Sequence, residues 1–215
     1  MPAHRCEAIL FDLDGVLVNS VRCVERVWHL WAEARGRDPA PFLAVAHGRR
    51  VSETLRTVDP TLDIGAETAA LDCLEELETE GLEVIPGADS LVRQIPSDRW
   101  AIVTSGSRTV ATRRLESAGL PIPAVFVTGE AVRRGKPDPE PYLLAAERLG
   151  RSPAGCLVVE DAPAGISSAL AAGMAVLAVT TTHASAALRL ASFVTPSLDR
   201  VSVDLTNGDP IVTWS

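Results

Sequence analysis

The chain has 215 residues, of which 47% are hydrophobic and 22% are charged, a composition typical of a globular protein and not of a disordered one. Its formal net charge is −8 at pH 7, which argues against nucleic acid or an anionic membrane surface as the main partner, since both require clustered Lys and Arg. The length fits one large domain, or a core with a small accessory domain.

The four cysteines are scattered along the chain and show no C-x-x-C pairs, which argues against a disulfide framework and a zinc site. The apolar run before Asp12 is too short for a signal peptide, and stretches such as "MAVLAV" are far below the roughly 18 residues that span a bilayer. We therefore expect four reduced thiols and a cytoplasmic protein with no membrane partner.

The first predicted strand, "CEAILFD", runs into two carboxylates, Asp12 and Asp14. Carboxylates at the mouth of a buried strand are costly unless a positive group meets them. Gly15 follows and predicts a sharp turn of the chain.

Residues 20–83 have the pattern of a helical block. "VRCVERVWHLWAEARG" places Val24, Val27, Trp28, Trp31 and Ala32 on one helical face, and Gly36 and Pro39 are expected to end that helix. "RVSETLRTV" and "AETAALDCLEELETEG" predict two more amphipathic helices, and no strand-like run occurs before "LEVIPGA". We predict a helical cap at residues 19–83, inserted into a core formed by residues 1–18 and 84–215, with the chain returning to the sheet after the cap.

From residue 97 onward, short apolar runs alternate with helical stretches. The predicted strands are "RWAIVTSGS", "AVFVTG", "GCLVVED", "MAVLAVT" and "SFVT", and helices that end near Gly119 and Gly150 lie among them. This alternation predicts an α/β fold with a doubly wound parallel sheet, which "CEAILFD" joins. The tail "LTNGDPIVTWS" contains an Asn-Gly turn signal and predicts a small hairpin.

Polar side chains follow several predicted strands at the point where each strand ends. Besides Asp12 and Asp14, these are Thr104, Ser105, Lys136, Glu160 and Asp161. Taken singly, each group has a structural explanation: a solvated loop or calcium site, a turn, a surface lysine, or a helix cap. Together they converge, because ligands of open α/β sheets bind at the carboxyl ends of the strands.

Four carboxylates at one edge cannot all ionise unless a cation joins them. One Mg²⁺ with Lys136 would offset most of that charge, and Mg²⁺ favours carboxylate, water and phosphate oxygens. Such an arrangement suits phosphoryl transfer, with a carboxylate as the nucleophile and a second acid to move the proton.

The segments "DLDGVLVNS", "VTSGS", "GKPDPEPY" and "VVEDAPAGI" resemble, in order, the four motifs of the haloacid dehalogenase-like superfamily of phosphohydrolases. The resemblance covers nearly the whole chain and includes a helical cap, with "ERVWHLWAEARG" and "AHGRR" similar to bacterial sugar-phosphate phosphatases. It implies a Rossmann-like core and a Mg²⁺-dependent phosphatase that hydrolyses small phosphorylated sugars or polyols through an aspartyl-phosphate. The implied partner is a small phosphate monoester, and a monomer is expected because the cap must open.

By this resemblance, Asp12 is the nucleophile and a Mg²⁺ ligand, and Asp14 is the general acid/base whose backbone carbonyl also reaches the metal. Asp161 would ligate Mg²⁺, while Glu160 would ligate it or hold its water. Lys136 would stabilise the attacking carboxylate and the phosphate.

The resemblance leaves the phosphate-binding hydroxyl open between Thr104 and Ser105. We favour Ser105, assisted by the backbone N–H of Gly106, because glycine allows close approach.

In the cap, "AHGRR" resembles a substrate-specificity loop, in which we expect Arg49 and His47 to bind substrate. The simpler alternative is that at least one arginine of this loop faces solvent. At position 19 the family usually has Asp, and this chain has Asn19. Asn and Asp are both favourable N-cap residues of a helix, so the change either replaces one N-cap residue by another or alters how the cap domain closes.

Two other functions stay open as alternatives. A phosphomutase resembling β-phosphoglucomutase would carry a histidine in the cap helix at the position of Val24, and the nearest histidine there is His29. A phospho-accepting receiver domain also uses an acidic cluster, Mg²⁺, a hydroxyl and a lysine, but it has no helical insertion after the first strand.

Overall fold

The computed structural model of the protein describes residues 1–206 and 208–215. Its strands are β1 (Ala3–Arg5), β2 (Ala8–Phe11), β3 (Val18–Asn19), β4 (Glu83–Val84), β5 (Trp100–Val103), β6 (Val125–Val127), β7 (Cys156–Glu160), β8 (Ala175–Val179), β9 (Phe193–Thr195), β10 (Val201–Asp204) and β11 (Ile211–Trp214). Its α-helices are α1 (Val21–Glu33), α2 (Ala40–Ala46), α3 (Val51–Val58), α4 (Ile64–Leu77), α5 (Ala88–Gln94), α6 (Arg108–Ser117), α7 (Glu140–Leu149) and α8 (Pro163–Ala171). Across these residues, no helix combines the length and the apolar character that a membrane span requires.

A six-stranded sheet in the order β6-β5-β2-β7-β8-β9 forms the centre of the molecule. All of its neighbouring strands are parallel, which confirms the predicted doubly wound sheet and the assignment of "SFVT" to its last strand. The chain winds from β2 to one side through β5 and β6 and then to the other through β7, β8 and β9. Ligand sites of such sheets lie at the switch point between the two directions, outside the carboxyl ends of the strands.

The sheet separates two hydrophobic cores. Ile9 and Phe11 of β2 belong to one apolar cluster, and Ala8 and Leu10 to the other, as the twofold alternation of a strand requires. Every residue of β2, β5 and β7 is buried, which is typical of parallel strands covered by helices on both faces.

Helices α1 to α4 pack around a separate hydrophobic cluster. Its centre is aromatic: the ring centroids of Trp28, Trp31 and Phe42 lie 4.9 to 5.6 Å apart. Helix α1 buries the predicted face, with Val24 only partly covered. A division of the chain at residues 18/19 and 83/84 stays a prediction.

Two helices were not predicted from the sequence. Pro39, expected to help end the first cap helix, instead stands at the N-terminus of α2, where a missing N–H costs nothing. Helix α1 ends at Glu33, and the turn after it contains Gly36 with φ +60°. Helix α5 follows Gly87, whose φ of +89° turns the chain at the point where a strand was expected to continue.

The prediction that "LEVIPGA" returns the chain to the main sheet is wrong. Its two-residue strand β4 pairs antiparallel with β3, with Val18 opposite Val84 and Asn19 opposite Glu83. Both positions beside β2 are taken by β5 and β7, and the short, exposed β4 pairs with β3 outside the six-stranded sheet. The β3–β4 pair is therefore the link through which the chain enters and leaves the helical block.

The C-terminal tail forms the predicted hairpin, in which β10 pairs antiparallel with β11. Strand β1 adds to the other side of β11, and Val212 and Trp214 reach the core beneath the sheet. The predicted Asn-Gly turn includes Asn207, which lies outside the described residues.

Candidate active site

Five of the seven polar groups predicted at the strand ends line one cavity between the sheet and the helical block, whereas Lys136 and Glu160 do not line it and are buried, with Lys136 bonded to Asp12. Asp12 follows β2, Thr104 follows β5, and Asp161 follows β7. These three residues line a cavity of ≈ 190 Å³, together with Asp14 and Ser105. Parallel strands bring them together although they lie far apart in the chain.

Lys136 is the only lysine of the chain, and its side chain is 1% exposed. Its Nζ donates to Asp12 Oδ1 at 2.7 Å, to Glu160 Oε1 at 2.8 Å and to the carbonyl of Val103 at 3.0 Å. An ammonium group has three donors, so all of them are used. Burial opposes the charge, but the two carboxylates hold the pKa of Lys136 well above its usual value. The positive group that meets the first carboxylate is thus in place.

Glu160 accepts hydrogen bonds on both of its oxygens. Oε1 accepts from Lys136 and from the hydroxyl of Tyr142 at 2.9 Å, and Oε2 accepts from the backbone N–H groups of Asp161 and Ala162 at 2.9 and 3.0 Å. This fully buried carboxylate fixes the position of Lys136. Its predicted role as a metal ligand, or as a residue that holds the metal's water, stays a prediction.

Asp161 combines burial with an oxygen that has no protein partner. Oδ2 accepts a short hydrogen bond from Thr182, whereas the buried Oδ1 has none. Carboxylate oxygens of Asp12, Glu160 and Asp161 lie within 4.8 Å of one another, and oxygens so close together form a donor set for a hard divalent cation. The unpartnered Oδ1 of Asp161 fits the same group, so these residues suit Mg²⁺.

The electrostatics of the carboxylates agree with this fit. Burial, with the charges of Glu160 and Asp14, raises the pKa of Asp12 to about 7 despite Lys136. Burial and the neighbouring carboxylates also raise the pKa of Asp161 well above its usual value. A divalent cation would favour the ionised form of both groups.

Asp14 is held from two sides. Its Oδ1 accepts from the hydroxyl of Ser20 at 2.6 Å and from Nη1 of Arg114 at 2.8 Å. Ser20 stands at the start of α1, and Arg114 lies on α6, so the helical block and the core both contact this carboxylate. The side chain of Asp14 is 27% exposed and reaches the cavity. The contribution of its backbone carbonyl to a metal site stays a prediction.

The predicted phosphate-binding residues line the cavity but are already engaged. Thr104 Oγ1 accepts from the backbone N–H of Gly106 at 3.1 Å, and Ser105 Oγ donates to the carbonyl of Gly48 at 3.0 Å. Ser105 therefore contacts the cap loop in this structure, and an incoming phosphoryl group would have to replace that contact or share it. The choice between Thr104 and Ser105 stays open.

The "AHGRR" loop lies over the cavity, with His47, Arg49 and Arg50 all half-buried. Of the two arginines, Arg50 is the one whose side chain is bonded to the core. Arg50 pairs with Glu53 and donates to the carbonyls of Gly129, Val132 and Arg133, which ties the loop to the core. Burial and the nearby His183 lower the pKa of His47. Neither arginine is an exposed surface residue.

Several residues at the site were not predicted from the sequence. Arg114 is 4% exposed and bridges Asp14 and Glu75, with its Nη2 3.5 Å from Glu75 Oε1. Tyr142 belongs to "GKPDPEPY", where its distance of six residues from Lys136 gave no separate signal. Other missed residues that line the cavity include Thr54, Thr68, Asp72 and Thr182.

Comparison with protein families gives a match over most of the chain. The model described as haloacid dehalogenase-like hydrolase matches residues 6–173.

Curated relatives are similar over nearly the whole length. Hexitol phosphatase A of Escherichia coli is 46% identical over 214 residues, covering 97% of this chain and 99% of the relative. Glycerol-1-phosphate phosphohydrolase 2 of Saccharomyces cerevisiae is 33% identical over 83% of this chain and 76% of its own length.

Solved structures show the same fold. A hydrolase from Pseudomonas syringae superposes with a TM-score of 0.77 at 25% identity, covering 94% of this chain and 97% of its own. A β-phosphoglucomutase from Clostridium difficile gives a TM-score of 0.75 over 92% and 93% of the two chains, and at 22% identity it bears on the fold alone.

Proposed function

Because the chain belongs to the haloacid dehalogenase-like hydrolase family, we propose that it is a Mg²⁺-dependent phosphatase that acts on small phosphorylated sugars or polyols. Its relatives include proteins named hexitol phosphatase, 2-deoxyglucose-6-phosphate phosphatase and glycerol-1-phosphate phosphohydrolase; the first name gives a polyol, and the other two give a small phosphate ester. Residues 19–83 would serve as the cap that covers the bound substrate.

The observation that carries the proposal is the environment of Asp12. Its carboxylate stands at the end of the central strand, 3% exposed, 2.7 Å from the ammonium of Lys136 and close to Asp161. A carboxylate held in this way is suited to attack phosphorus, because the protein stabilises its charge while water is kept away from it.

In the proposed reaction, an oxygen of Asp12 attacks the phosphorus, and the bond from phosphorus to the ester oxygen breaks. Asp14 gives its proton to the departing alkoxide, and an aspartyl-phosphate is formed. A water molecule then attacks the phosphorus of this intermediate while Asp14 accepts the proton of the water. The bond between Asp12 and phosphorus breaks, and inorganic phosphate leaves.

The other residues would orient the phosphoryl group and neutralise its negative charge. Lys136 would stabilise the nucleophile and would contact a phosphoryl oxygen in exchange for one of its three present hydrogen bonds, and Ser105 or Thr104 with Gly106 would bind the remaining oxygens. Asp12 and Asp161 would hold Mg²⁺, with Glu160 and the Asp14 carbonyl beside them. When bound, Mg²⁺ supplies charge stabilisation to the phosphoryl group.

The lining of the cavity supports a phosphatase over a phosphomutase. Val24 of α1 lines the cavity at the position where the mutase resemblance would require a histidine. His29 of the same helix is exposed, and its Nδ1 lies 2.7 Å from the carbonyl of Glu25. A receiver domain does not fit the family or the helical block.

Phosphate release from sorbitol 6-phosphate tests the proposal. We expect Asp12→Asn to lower kcat by at least about 10³-fold, because the amide cannot form the covalent intermediate. EDTA should abolish turnover, and added Mg²⁺ should restore it. Asp89→Asn, an exposed change on α5, is the matched control and should keep full activity.

Appreciable turnover by Asp12→Asn, or in EDTA, would rule out the mechanism. A screen over hexose, pentose, polyol and nucleotide monophosphates then ranks the substrates, and a preference for nucleotides would contradict the proposed class.

A further inference from the structure

Buried polar atoms without a hydrogen-bond partner are concentrated around the active-site cavity. Over the described residues, six such side-chain atoms occur, and they belong to Thr54, Thr68, Arg114, Arg151 and Asp161, with two on Arg114. All of these residues except Arg151 line the cavity. Most buried polar groups of native proteins have partners, so a cluster of exceptions calls for an explanation.

A cation accounts for one of them, the Oδ1 of Asp161. The other four atoms of the cluster are the hydroxyls of Thr54 and Thr68 and the Nε and Nη2 of Arg114, of which Nη2 lies 3.5 Å from Glu75 Oε1 in an ion pair but forms no hydrogen bond. Thr54 is fully buried and Arg114 is 4% exposed, so bulk water does not satisfy them. Each such group carries a desolvation cost that a bound partner would remove.

These groups form one wall of the cavity, which we call the cap wall: Thr54, Thr68, Asp72, Glu75 and Arg114. Thr68, Asp72 and Glu75 stand at positions i, i+4 and i+7 of α4 and therefore share one helical face. Thr54 comes from α3, which packs on α4, and Arg114 comes from α6 on the core side. The α4 face extends about 10 Å along its axis.

The cap wall offers both donors and acceptors. The guanidinium of Arg114 donates, the carboxylates of Asp72 and Glu75 accept, and the threonine hydroxyls do either. A hydroxyl group is both donor and acceptor, so a chain with a hydroxyl on each carbon complements such a mixture. Because the α4 face is about 10 Å long, it spans several hydroxyls and not only one.

The charge of the cap wall disfavours a second anion. Arg114 is its only cation, and that charge is shared between Asp14 and Glu75. Burial raises the pKa of both Asp72 and Glu75, so additional negative charge nearby would be costly.

We infer that the cap wall is a subsite for the hydroxyls of an uncharged polyhydroxy chain, and that Thr54 and Thr68 are specificity-determining residues. This inference rests on the proposed phosphatase function and narrows it. The substrate carries one phosphate, which faces Asp12, and a hydroxylated chain without a second charged group, which faces the cap wall.

The test compares two substrates across isosteric variants. The kcat/KM values for sorbitol 6-phosphate and for p-nitrophenyl phosphate, which has no hydroxyls on its leaving group, are measured for the wild type, Thr54→Val, Thr68→Val and the double variant. We expect the kcat/KM for sorbitol 6-phosphate, divided by that for p-nitrophenyl phosphate, to fall about 3- to 10-fold for each hydroxyl removed. Thr57→Val is the matched control, since this exposed hydroxyl on α3 already donates to the carbonyl of Glu53; its ratio should not change.

Thermal unfolding separates substrate binding from a structural role. Because neither threonine hydroxyl has a partner, valine at these positions should leave Tm unchanged or raise it. A clear fall in Tm with a proportional loss on both substrates would assign the hydroxyls to the fold and overturn the inference. An unchanged ratio in the double variant would overturn it as well.

A second experiment tests whether the hydroxylated part of the substrate must be uncharged. Wild-type enzyme should hydrolyse sorbitol 6-phosphate with a kcat/KM at least about tenfold higher than that for a hexose bisphosphate, since the second phosphate would lie beside the carboxylates of the cap wall and like charges repel. An equal or higher value for the bisphosphate would overturn the uncharged-chain assignment. If no phosphate ester is hydrolysed, the phosphatase proposal itself fails; if p-nitrophenyl phosphate is hydrolysed without any polyol preference, only the subsite fails.

Discussion

The cap wall and the buried cluster of Asp12, Lys136 and Glu160 at the strand ends, which we call the floor, differ in how their polar groups are bonded. On the floor, Lys136 uses all three donors, and Glu160 accepts four hydrogen bonds. On the cap wall, the hydroxyls of Thr54 and Thr68 and the Nε of Arg114 have no hydrogen-bond partner, and the Nη2 of Arg114 has only an ion pair with Glu75 at 3.5 Å. Thr54 and Arg114 are buried like Lys136 and Glu160, so for these residues the difference does not come from access to water.

In the proposed function, this difference would separate the groups that carry out the reaction from the groups that recognise the substrate. Groups that stabilise a developing charge are most effective when the protein holds them in place beforehand, and the floor does so. Groups that select a substrate must be available to bind it, and the unpartnered hydroxyls of Thr54 and Thr68 meet that requirement. Changes on the floor should therefore affect both stability and kcat, and changes on the cap wall should alter selectivity.

The largest expected effect follows from removing the cation of the floor. Lys136→Met leaves the carboxylates of Asp12 and Glu160 buried without their shared partner, which should destabilise the fold by about 3–5 kcal/mol. Phosphatase activity should fall by at least about 10³-fold, because the nucleophile and the phosphoryl group lose the same charge. Urea unfolding and phosphate release measure the two losses.

Arg134→Met is the matched control for this variant. Arg134 is a cation two residues away whose side chain is 74% exposed, and removing its ion pairs should cost at most about 1 kcal/mol. If Lys136→Met were as stable and as active as this control, the floor would not be the preorganised region that its contacts indicate.

The second prediction concerns Mg²⁺ and pH. Asp12 has a pKa of about 7 against an ordinary value of 3.8, so the folded chain retains a proton that the unfolded chain loses. Its contribution to stability is complete below about pH 4 and is lost as the pH rises through 7. Mg²⁺ competes with this proton, so the rise in Tm on adding Mg²⁺ should be larger at pH 8 than at pH 6.

Differential scanning fluorimetry with and without Mg²⁺ measures this effect. At a Mg²⁺ concentration of 100 Kd, the expected stabilisation is about 2.7 kcal/mol. Asp161→Asn should reduce it, because the unpartnered Oδ1 is part of the donor set. Equal Tm shifts at both pH values would contradict the competition between Mg²⁺ and the proton.

Much of the floor, and Asp161 beside it, could be predicted from the sequence, and the physical reason is topological. Asp12, Lys136 and Asp161 each follow a strand that reads as a buried apolar run, and parallel strands bring their carboxyl ends to one edge without further information. The prediction required only the order of strands and helices, which depends on local patterns.

The cap wall could not be predicted, because its composition depends on how helices cross. Arg113 and Arg114 are adjacent on α6, yet Arg113 is exposed and contacts the carbonyl of Glu76, while Arg114 is buried against Asp14. Which arginine turns inward is decided by the position of α4 above α6. Pro39 shows the same limit in local structure, since a proline marks either the end of one helix or the start of the next.

A smaller change tests the support of the floor. Tyr142→Phe removes one of the four donors to Glu160 and leaves Lys136 in place. Since a hydrogen bond to a buried charge is worth about 1–3 kcal/mol, stability should fall by that amount. The kcat value should fall less than about tenfold, because the contact between Lys136 and Asp12 remains. A loss as large as that of Lys136→Met would mean that the tyrosine takes part in the reaction directly.

The smallest expected effect concerns Asn19, at the link between the two regions. Its side-chain oxygen accepts from the N–H of Val21 at 3.4 Å, and across the β3–β4 pair it faces Glu83. An aspartate would accept the same hydrogen bond, but it would place two carboxylates opposite each other, a pairing that costs about 0.2–1 kcal/mol. Asparagine at this position therefore avoids a like-charge pair in the link.

Asn19→Asp should lower the free energy of unfolding by that small amount and change kcat/KM for sorbitol 6-phosphate less than about twofold, since the hydrogen bond at the start of α1 is kept. Adding Glu83→Gln should restore the stability, because the opposing charge is removed. A change in kcat/KM above about fivefold that Glu83→Gln does not reverse would show instead that position 19 controls cap closure, and the link would then belong to the catalytic cycle and not only to the fold.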